Sequence, residues 1–367
     1  MDSVGLYIHV PFCERKCPYC DFYSEKATDE LLDKYTKRTC EILIGYSKEL
    51  SVSFDTLYFG GGTPSLLGND NLIKIISTVK DNFIFSKKEI TLEMNPSTLP
   101  ILDLGKLREN GVNRLSIGVQ SAVDDELKQL GRSHSLNDAR KTIEFAKKSG
   151  FTNISLDLMI ATPGQTLKTL KESIDFCANQ DVQHVSAYLL KVEKGTLFYK
   201  NKHQLDLKNE TEEAKMYLFA VSELERHNFK QYEISNFCKE GYMGKHNLKY
   251  WNAEEYLGIG PSAHSFINGK RFFYPRSLKD FLNANACAID DGIGGSVNEY
   301  IMLRLRLKEG LNNDTFKKRF GYDIGDEYLK KAKTFEKHDL LSIFNKDIKL
   351  TPKGFLVSNE LISRIIL

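Results

Sequence analysis

The sequence predicts an α/β fold: an incomplete parallel (β/α)6 barrel followed by a smaller, mostly helical, winged-helix-like C-terminal domain. Three observations carry this. Six short apolar runs alternate with amphipathic stretches over residues 1–190, the order that lays parallel strands side by side with helices as their crossovers. The runs are near-continuous in apolar residues, as in strands covered on both faces. Glycines punctuate the joints, at Gly60-Gly61-Gly62, Gly111 and Gly150.

Taken in order, residues 5–10 (GLYIHV) read as the first strand and residues 29–48 as the helix after it. Residues 56–59 (TLYF) are a strand. Residues 70–82 are a helix with Leu72, Ile73, Ile76 and Val79 on one face. A strand at 89–94, a short helix at 103–110 and a strand at 114–119 follow. Helices at 124–130 and 136–149, a strand at 154–160, a helix at 167–179 and a strand at 185–190 complete the set. Six units are too few for the eightfold barrel, so an open, curved barrel is expected, with its functional groups at the C-terminal ends of the strands. Beyond Leu190 the pattern changes. Residues 210–227 form a long helix, residues 232–266 are loop-rich, and from Ser296 the chain is basic and helical. That tail reads either as a winged-helix-like module or as a capping helical bundle. The expected units are a barrel at 1–200, a barrel-closing region at 201–290 and a helical domain at 291–367.

Composition narrows the function. With 41% hydrophobic and 27% charged residues and a formal net charge of +2, the chain has an ordinary globular balance and lacks the basic excess of a nucleic-acid binder. No apolar run approaches the ~20 residues that span a bilayer, and the first one stops at Pro11, unlike a signal peptide. The seven cysteines are an odd number, and Cys40, Cys177, Cys238 and Cys287 are scattered. A reducing cytoplasm is therefore expected. No nucleic-acid partner is expected; transient membrane association and the oligomeric state stay open.

The remaining three cysteines, Cys13, Cys17 and Cys20, fall in one loop just after the first strand. Soft thiolates at this spacing suit zinc or an iron–sulfur cluster. A structural zinc ion asks for four ligands, which leaves His9 or a distant residue as the fourth. A cubane on three cysteines leaves one iron open for a ligand. Gly60-Gly61-Gly62-Thr63-Pro64 follows the second strand. It reads as a tight turn or as a place where backbone closely approaches a ligand, and no Walker lysine follows it. Glu93 and Asp157 lie in apolar strands, where a carboxylate is costly unless paired. They are either ion-pair partners or groups that meet a ligand's hydroxyls and ammonium. Gln120 has the same two readings, and Arg132 is either a surface salt bridge or a carboxylate partner.

The CxxxCxxC spacing, with Tyr19 before the third cysteine, resembles the radical S-adenosylmethionine (SAM) superfamily. LYIHVPF, FGGGTPS, EMNP, RLSIGVQS, LGRSHS, SLDLMIATPGQT and LTPKG together resemble the oxygen-independent coproporphyrinogen III oxidase family over nearly the whole chain. The resemblance implies a [4Fe–4S] cluster on Cys13, Cys17 and Cys20. It further implies a SAM site built from Tyr7, Tyr19, Gly61, Gly62, Thr63, Glu93, Gln120, Arg132 and Asp157, with His264 approaching a second ligand. Two features point to the branch of heme chaperones named HemW. Phe22 stands where the oxidase has a further cysteine, and His246-Asn247-Leu248-Lys249-Tyr250-Trp251 matches the HNxxYW signature of that branch. The oxidase also has a longer segment ahead of its cysteine motif, which adds to the expectation. The branch implies heme as a ligand and heme-acceptor apoproteins as partners. His246 and His264 are the candidate iron ligands, with Tyr250 and Trp251 as stacking surface. HNLKYW also reads as an aromatic-capped loop closing the barrel mouth. The other implied activity is oxidative decarboxylation of coproporphyrinogen III in porphyrin biosynthesis.

Overall fold

A computed structural model describes residues 3–283 and 287–366. The first and last residues of the expected outer units, and residues 284–286 of the middle one, lie outside the described residues. Six strands, β1 (Ser3–Val10), β2 (Ser53–Gly61), β3 (Ile84–Met94), β4 (Arg114–Gln120), β5 (Ile154–Ile160) and β6 (His184–Leu189), pair in parallel in sequence order. The helices α1 (Asp29–Glu49), α2 (Gly68–Asn82), α3 (Leu104–Glu109), α4 (Asp124–Gln129), α5 (Leu136–Lys148) and α6 (Leu167–Asn179) form the crossovers. Side-chain oxygens fix the starts of α5 and α6: Ser135 and Thr166 each accept the N3 backbone N–H of their helix, within capping boxes.

Strand residues alternate between two environments. Leu6, Ile8, Leu57, Phe59, Leu92, Leu115 and Leu156 are fully buried with Tyr35, Leu43, Ile75, Ile143 and Ile174 of the helices in one contiguous apolar core. The alternate positions, Tyr7, Thr56, Tyr58, Glu89, Glu93, Ser116, Asp157 and His184, face the lumen and are polar. They bond to one another there, Tyr58 to Glu93, Ser116 to Asp157 and Ser155 to His184. The apolar core is therefore the layer between sheet and helices, and the barrel interior is a polar column.

Past β6, helix α7 (Glu210–Arg226) leads to β7 (Lys230–Gln231), β8 (Asn236–Cys238), α8 (Lys245–Trp251), β9 (Tyr256–Ile259), β10 (His264–Ile267), β11 (Lys270–Phe273) and β12 (Ile289–Ile293). The sheet has twelve strands in the order β12-β11-β10-β9-β1-β2-β3-β4-β5-β6-β8-β7. The stretch expected to be loop-rich thus supplies a seventh parallel strand. β9 pairs with the free edge of β1, Gly5 opposite Tyr256 and Ile8 opposite Ile259. Antiparallel pairing extends the sheet from there, and its ends do not meet.

The tail holds α9 (Val297–Arg304), α10 (Asn313–Phe320), α11 (Asp326–Glu336), a hairpin of β13 (Leu341–Phe344) and β14 (Asp347–Leu350), α12 (Pro352–Leu356) and α13 (Ser358–Ile366). The hairpin among helices is the winged-helix-like arrangement rather than a plain bundle. Tyr300, Ile301, Phe316 and Leu361 of the tail join the same contiguous core as the barrel.

Candidate functional site

The cysteine loop leaves the C-terminal end of β1 and is seated on the glycines that end β2. Gly62 N–H donates to Val10 O at 2.8 Å and Thr63 N–H to Phe12 O at 2.6 Å. A Cβ on Gly62 would stand 2.5 Å from the Phe12 carbonyl oxygen, so only glycine lets the two segments bond. Gly61 has φ +107°, and a Cβ there would strike the His9 ring at 2.7 Å. A Cβ on Gly60 would meet Tyr58 at 2.9 Å and Tyr7 at 3.0 Å. Each of the three glycines therefore makes room for different neighbours.

Other strand ends hold the loop from the sides. The Thr63 hydroxyl donates to Cys13 Sγ at 3.6 Å, and Asn95 Nδ2 donates to Thr63 Oγ1 at 3.0 Å. Arg132 donates to Asn95 Oδ1, to Gly118 O at 3.0 Å, to Cys17 Sγ at 3.6 Å and to Tyr19 Oη at 3.5 Å. Gly131, with φ +67°, lies where a Cβ would strike the Pro18 ring. Among the described residues the ligand set with all donor atoms within 4.8 Å of one another is Asp175, Glu223 and His227, so the three thiols are not all within that distance of one another. Tetrahedral zinc holds thiolate sulfurs about 3.8 Å apart. A cluster makes no such demand, since its thiolate ligands sit on separate irons.

Above the lumen a cleft of about 370 Å³ opens to the mouth. It is lined by the three cysteines, Tyr19, Gly61, Gly62, Thr63, Glu93, Gln120, Arg132 and Asp157, with Phe22 at its edge. Burial pushes the Glu93 carboxyl up to about 7 against the hydrogen bond from Tyr58, with the Asp157 charge adding to the rise. Burial likewise raises Asp157 to about 6, against hydrogen bonds from Ser186 and Ser116. Two desolvated carboxyls poised near neutrality are groups that a cationic ligand would ionise. Gln120 is held at φ +67°, a strained conformation for a residue with a side chain.

Five other expected site residues lie elsewhere. Tyr7 sits one layer below the cleft, its hydroxyl bonded to His9 Nδ1 at 2.9 Å. His264 opens β10 beside the mouth, exposed and stacked on Phe273 at 5.2 Å. His246 and Tyr250 were expected with HNLKYW near the mouth, and the structure corrects this: α8 closes the opposite end of the barrel. Glu89, midway along β3 and paired with Thr56 of β2, accepts the N–H groups of Lys245 and His246 at 2.9 and 3.0 Å. Lys249 pairs with Asp55 near the start of β2 at 3.0 Å. His246 is fully buried, with Nδ1 bonded to Thr56 Oγ1 and Nε2 to Tyr250 Oη. Trp251 ends α8 at this floor, half-buried. Sequence reasoning passed over Tyr58 and Asn95. For Tyr58 a signal existed, because residues 56, 58 and 60 share one face of a strand that ends in a glycine run.

A family model for the radical SAM superfamily matches residues 7–177, and one for the HemN C-terminal domain matches residues 296–357. The heme chaperone HemW of Bacillus subtilis (strain 168) is 36% identical over 97% of this chain and 97% of its own length. That of Lactococcus lactis subsp. lactis is 31% identical over 99% of this chain and 97% of its own. Among solved structures, coproporphyrinogen III oxidase (HemN) from Escherichia coli superposes with a TM-score of 0.83 at 20% identity, over 99% of this chain and 90% of that one. That likeness bears on the fold alone. With full-length identity above thirty per cent to the chaperones and a radical SAM domain over the cysteine loop, the chain belongs to the radical SAM superfamily and, within it, to the family of the HemW proteins.

Proposed function

We propose that this chain is a heme-binding protein that delivers heme to acceptor apoproteins, carries a [4Fe–4S] cluster on Cys13, Cys17 and Cys20, and holds SAM in the mouth cleft. The observation that carries the reading is the full-length similarity to proteins named heme chaperones. When bound, the cluster would supply an open iron for the amino-acid end of SAM and an electron for its reductive cleavage. Around it, Arg132 offers a half-buried guanidinium to the ligand carboxylate, and Glu93 and Asp157 offer carboxyls to its cationic and hydroxyl groups. Gly61, Gly62 and Thr63 bring backbone close, while Tyr19 and Gln120 line the sides. Tyr7 supports this set from below.

For heme, the exposed His264 beside Phe273 is the better iron ligand, since both ring nitrogens of His246 are already bonded inside the floor. Phe22, 65% exposed at the cleft edge, gives that side apolar surface in place of the further cysteine of the oxidase. We therefore favour heme delivery over coproporphyrinogen III decarboxylation. The same reading puts the protein in the cytoplasm and divides it into units at 1–200, 201–290 and 291–367. Among the described residues no helix is long and apolar enough to cross a membrane.

Heme added to the reconstituted protein should shift its Soret band, and His264→Ala should weaken that shift while His246→Ala lowers thermal stability instead. Coproporphyrinogen III with SAM and a reductant should give no protoporphyrinogen. Product formation, or a Soret band unmoved by the protein, would overturn the assignment.

A further inference from the structure

A single column of side chains runs from the barrel floor to the mouth cleft. His246 rises from α8 into the lumen, held by Thr56 Oγ1 at 2.8 Å and Tyr250 Oη at 2.7 Å. Its ring stacks on Tyr58, centroids 5.2 Å apart and planes at 27°. The Tyr58 hydroxyl donates to Glu93 Oε1 at 2.6 Å, and Glu93 lines the cleft. The surroundings are cut to fit this column. A Cβ on Gly5 would crowd His246 Cε1 at 3.1 Å, and one on Gly60 would crowd Tyr58 at 2.9 Å and the Glu93 carboxyl at 3.2 Å. Glu89 fixes the base by accepting the Lys245 and His246 N–H groups.

An apolar plug would fill the same space more cheaply, because buried polar groups must all be satisfied to break even. Among the described residues the column's hydrogen bond to the cleft lining goes to Glu93. We propose that His246 and Tyr58 are positioning residues: the column orients the Glu93 carboxyl and holds a hydrogen-bond donor on it, so that it meets the cationic part of the cofactor as a carboxylate. This rests on the assignment of the cleft to SAM. Glu93 is also faced by Tyr7 from β1, Arg114 from β4, Asp157 from β5, Tyr188 from β6 and Tyr250 from α8. Among these side chains it is Tyr58 that donates a hydrogen bond to the carboxyl, beside the Gly61 backbone N–H, and a donor favours the charged form.

The test is a double-mutant cycle of Tyr58→Phe and His246→Ala, with two readouts. In the ligand-free chain, infrared difference spectra follow the C=O stretch of protonated Glu93 against pH, assigned by Glu93→Gln. In the reconstituted protein, calorimetry measures SAM affinity at pH 7. Both single variants should move the Glu93 midpoint to higher pH, and the double variant should move it no further than Tyr58→Phe alone. SAM affinity should fall about 3–10-fold, the worth of one hydrogen bond. His246→Gln, which keeps polar partners without the ring, stands in if His246→Ala does not fold, and should shift the midpoint in the same direction. A Tyr58→Phe midpoint equal to that of the unsubstituted chain, or folded His246 variants that lower only the melting temperature, would overturn the proposal. Midpoints that move with no change in SAM affinity would uphold the column's hold on Glu93 and overturn the SAM assignment of the cleft.

Discussion

Arg132 shows how much one side chain can organise. Its guanidinium reaches Asn95, the Gly118 carbonyl, Cys17 and Tyr19, which ties β3, β4 and the cysteine loop to one point. Arg132→Ala should weaken SAM binding by on the order of 1.5–3 kcal/mol, the range for a hydrogen bond to a charged group. Calorimetry on the reconstituted protein would show it, and unchanged affinity would return Arg132 to a purely structural role. At this scale the cysteines, the glycine run and the strand acids were legible because each signal is a short spacing or a lone charge in an apolar strand. Tyr58 and Asn95 were not. Their partners, Glu93 and Arg132, lie 35 and 37 residues away, and only strand register brings them together. Gly62 was legible as a close backbone approach, and one group it admits is the chain's own Phe12 carbonyl.

Elements with strong local signals came out of the sequence nearly intact. Residues 154–160 and 167–179 have the bounds expected of them, because a full apolar run and a threonine cap mark their ends. β9 escaped notice: four residues, one of them glycine, give no period to read. Helix α8 was legible as an aromatic-rich segment, but its place at the floor was not, since that depends on a carboxylate some 150 positions upstream. Glu89 accepts the first two N–H groups of α8, where helix donors lack internal partners. Glu89→Ala should therefore cost about 2–4 kcal/mol by orphaning both donors in a buried site. The single tryptophan, Trp251 at the end of α8, reports on this element. Its emission should shift to the red in the variant at temperatures where the rest of the chain stays folded.

For the whole molecule, the polar lumen makes stability depend on pH. Burial holds His9 at about 4, His134 at about 4 and His246 at about 3, and places His184 well below its usual range. Such histidines are neutral in the folded chain and charge near 6.5 when it unfolds, so their contribution is present above 6.5 and lost as pH falls. Glu93, Asp157 and Glu233 act in the opposite sense. Burial raises them to about 7, 6 and 7, so the folded chain keeps protons that the unfolded one releases, and acidification favours folding until the unfolded values are reached. In urea titrations of the ligand-free chain between pH 8 and 5, Glu93→Gln should lose stability more steeply on acidification than the unsubstituted protein. Parallel curves would mean that Glu93 titrates in the same range whether the chain is folded or not.

The pairing of β1 with β9 also orders events in time. Strand β1 is flanked on one side by a strand that begins at Tyr256. At roughly 5–20 residues per second of synthesis, the ribosome would deliver the cysteines some 10–50 seconds before the strand that completes their shelf and the helix that seals the floor. Until then β1 can pair along one edge only, with β2, and the loop that carries Cys13, Cys17 and Cys20 has a flanking strand on one side.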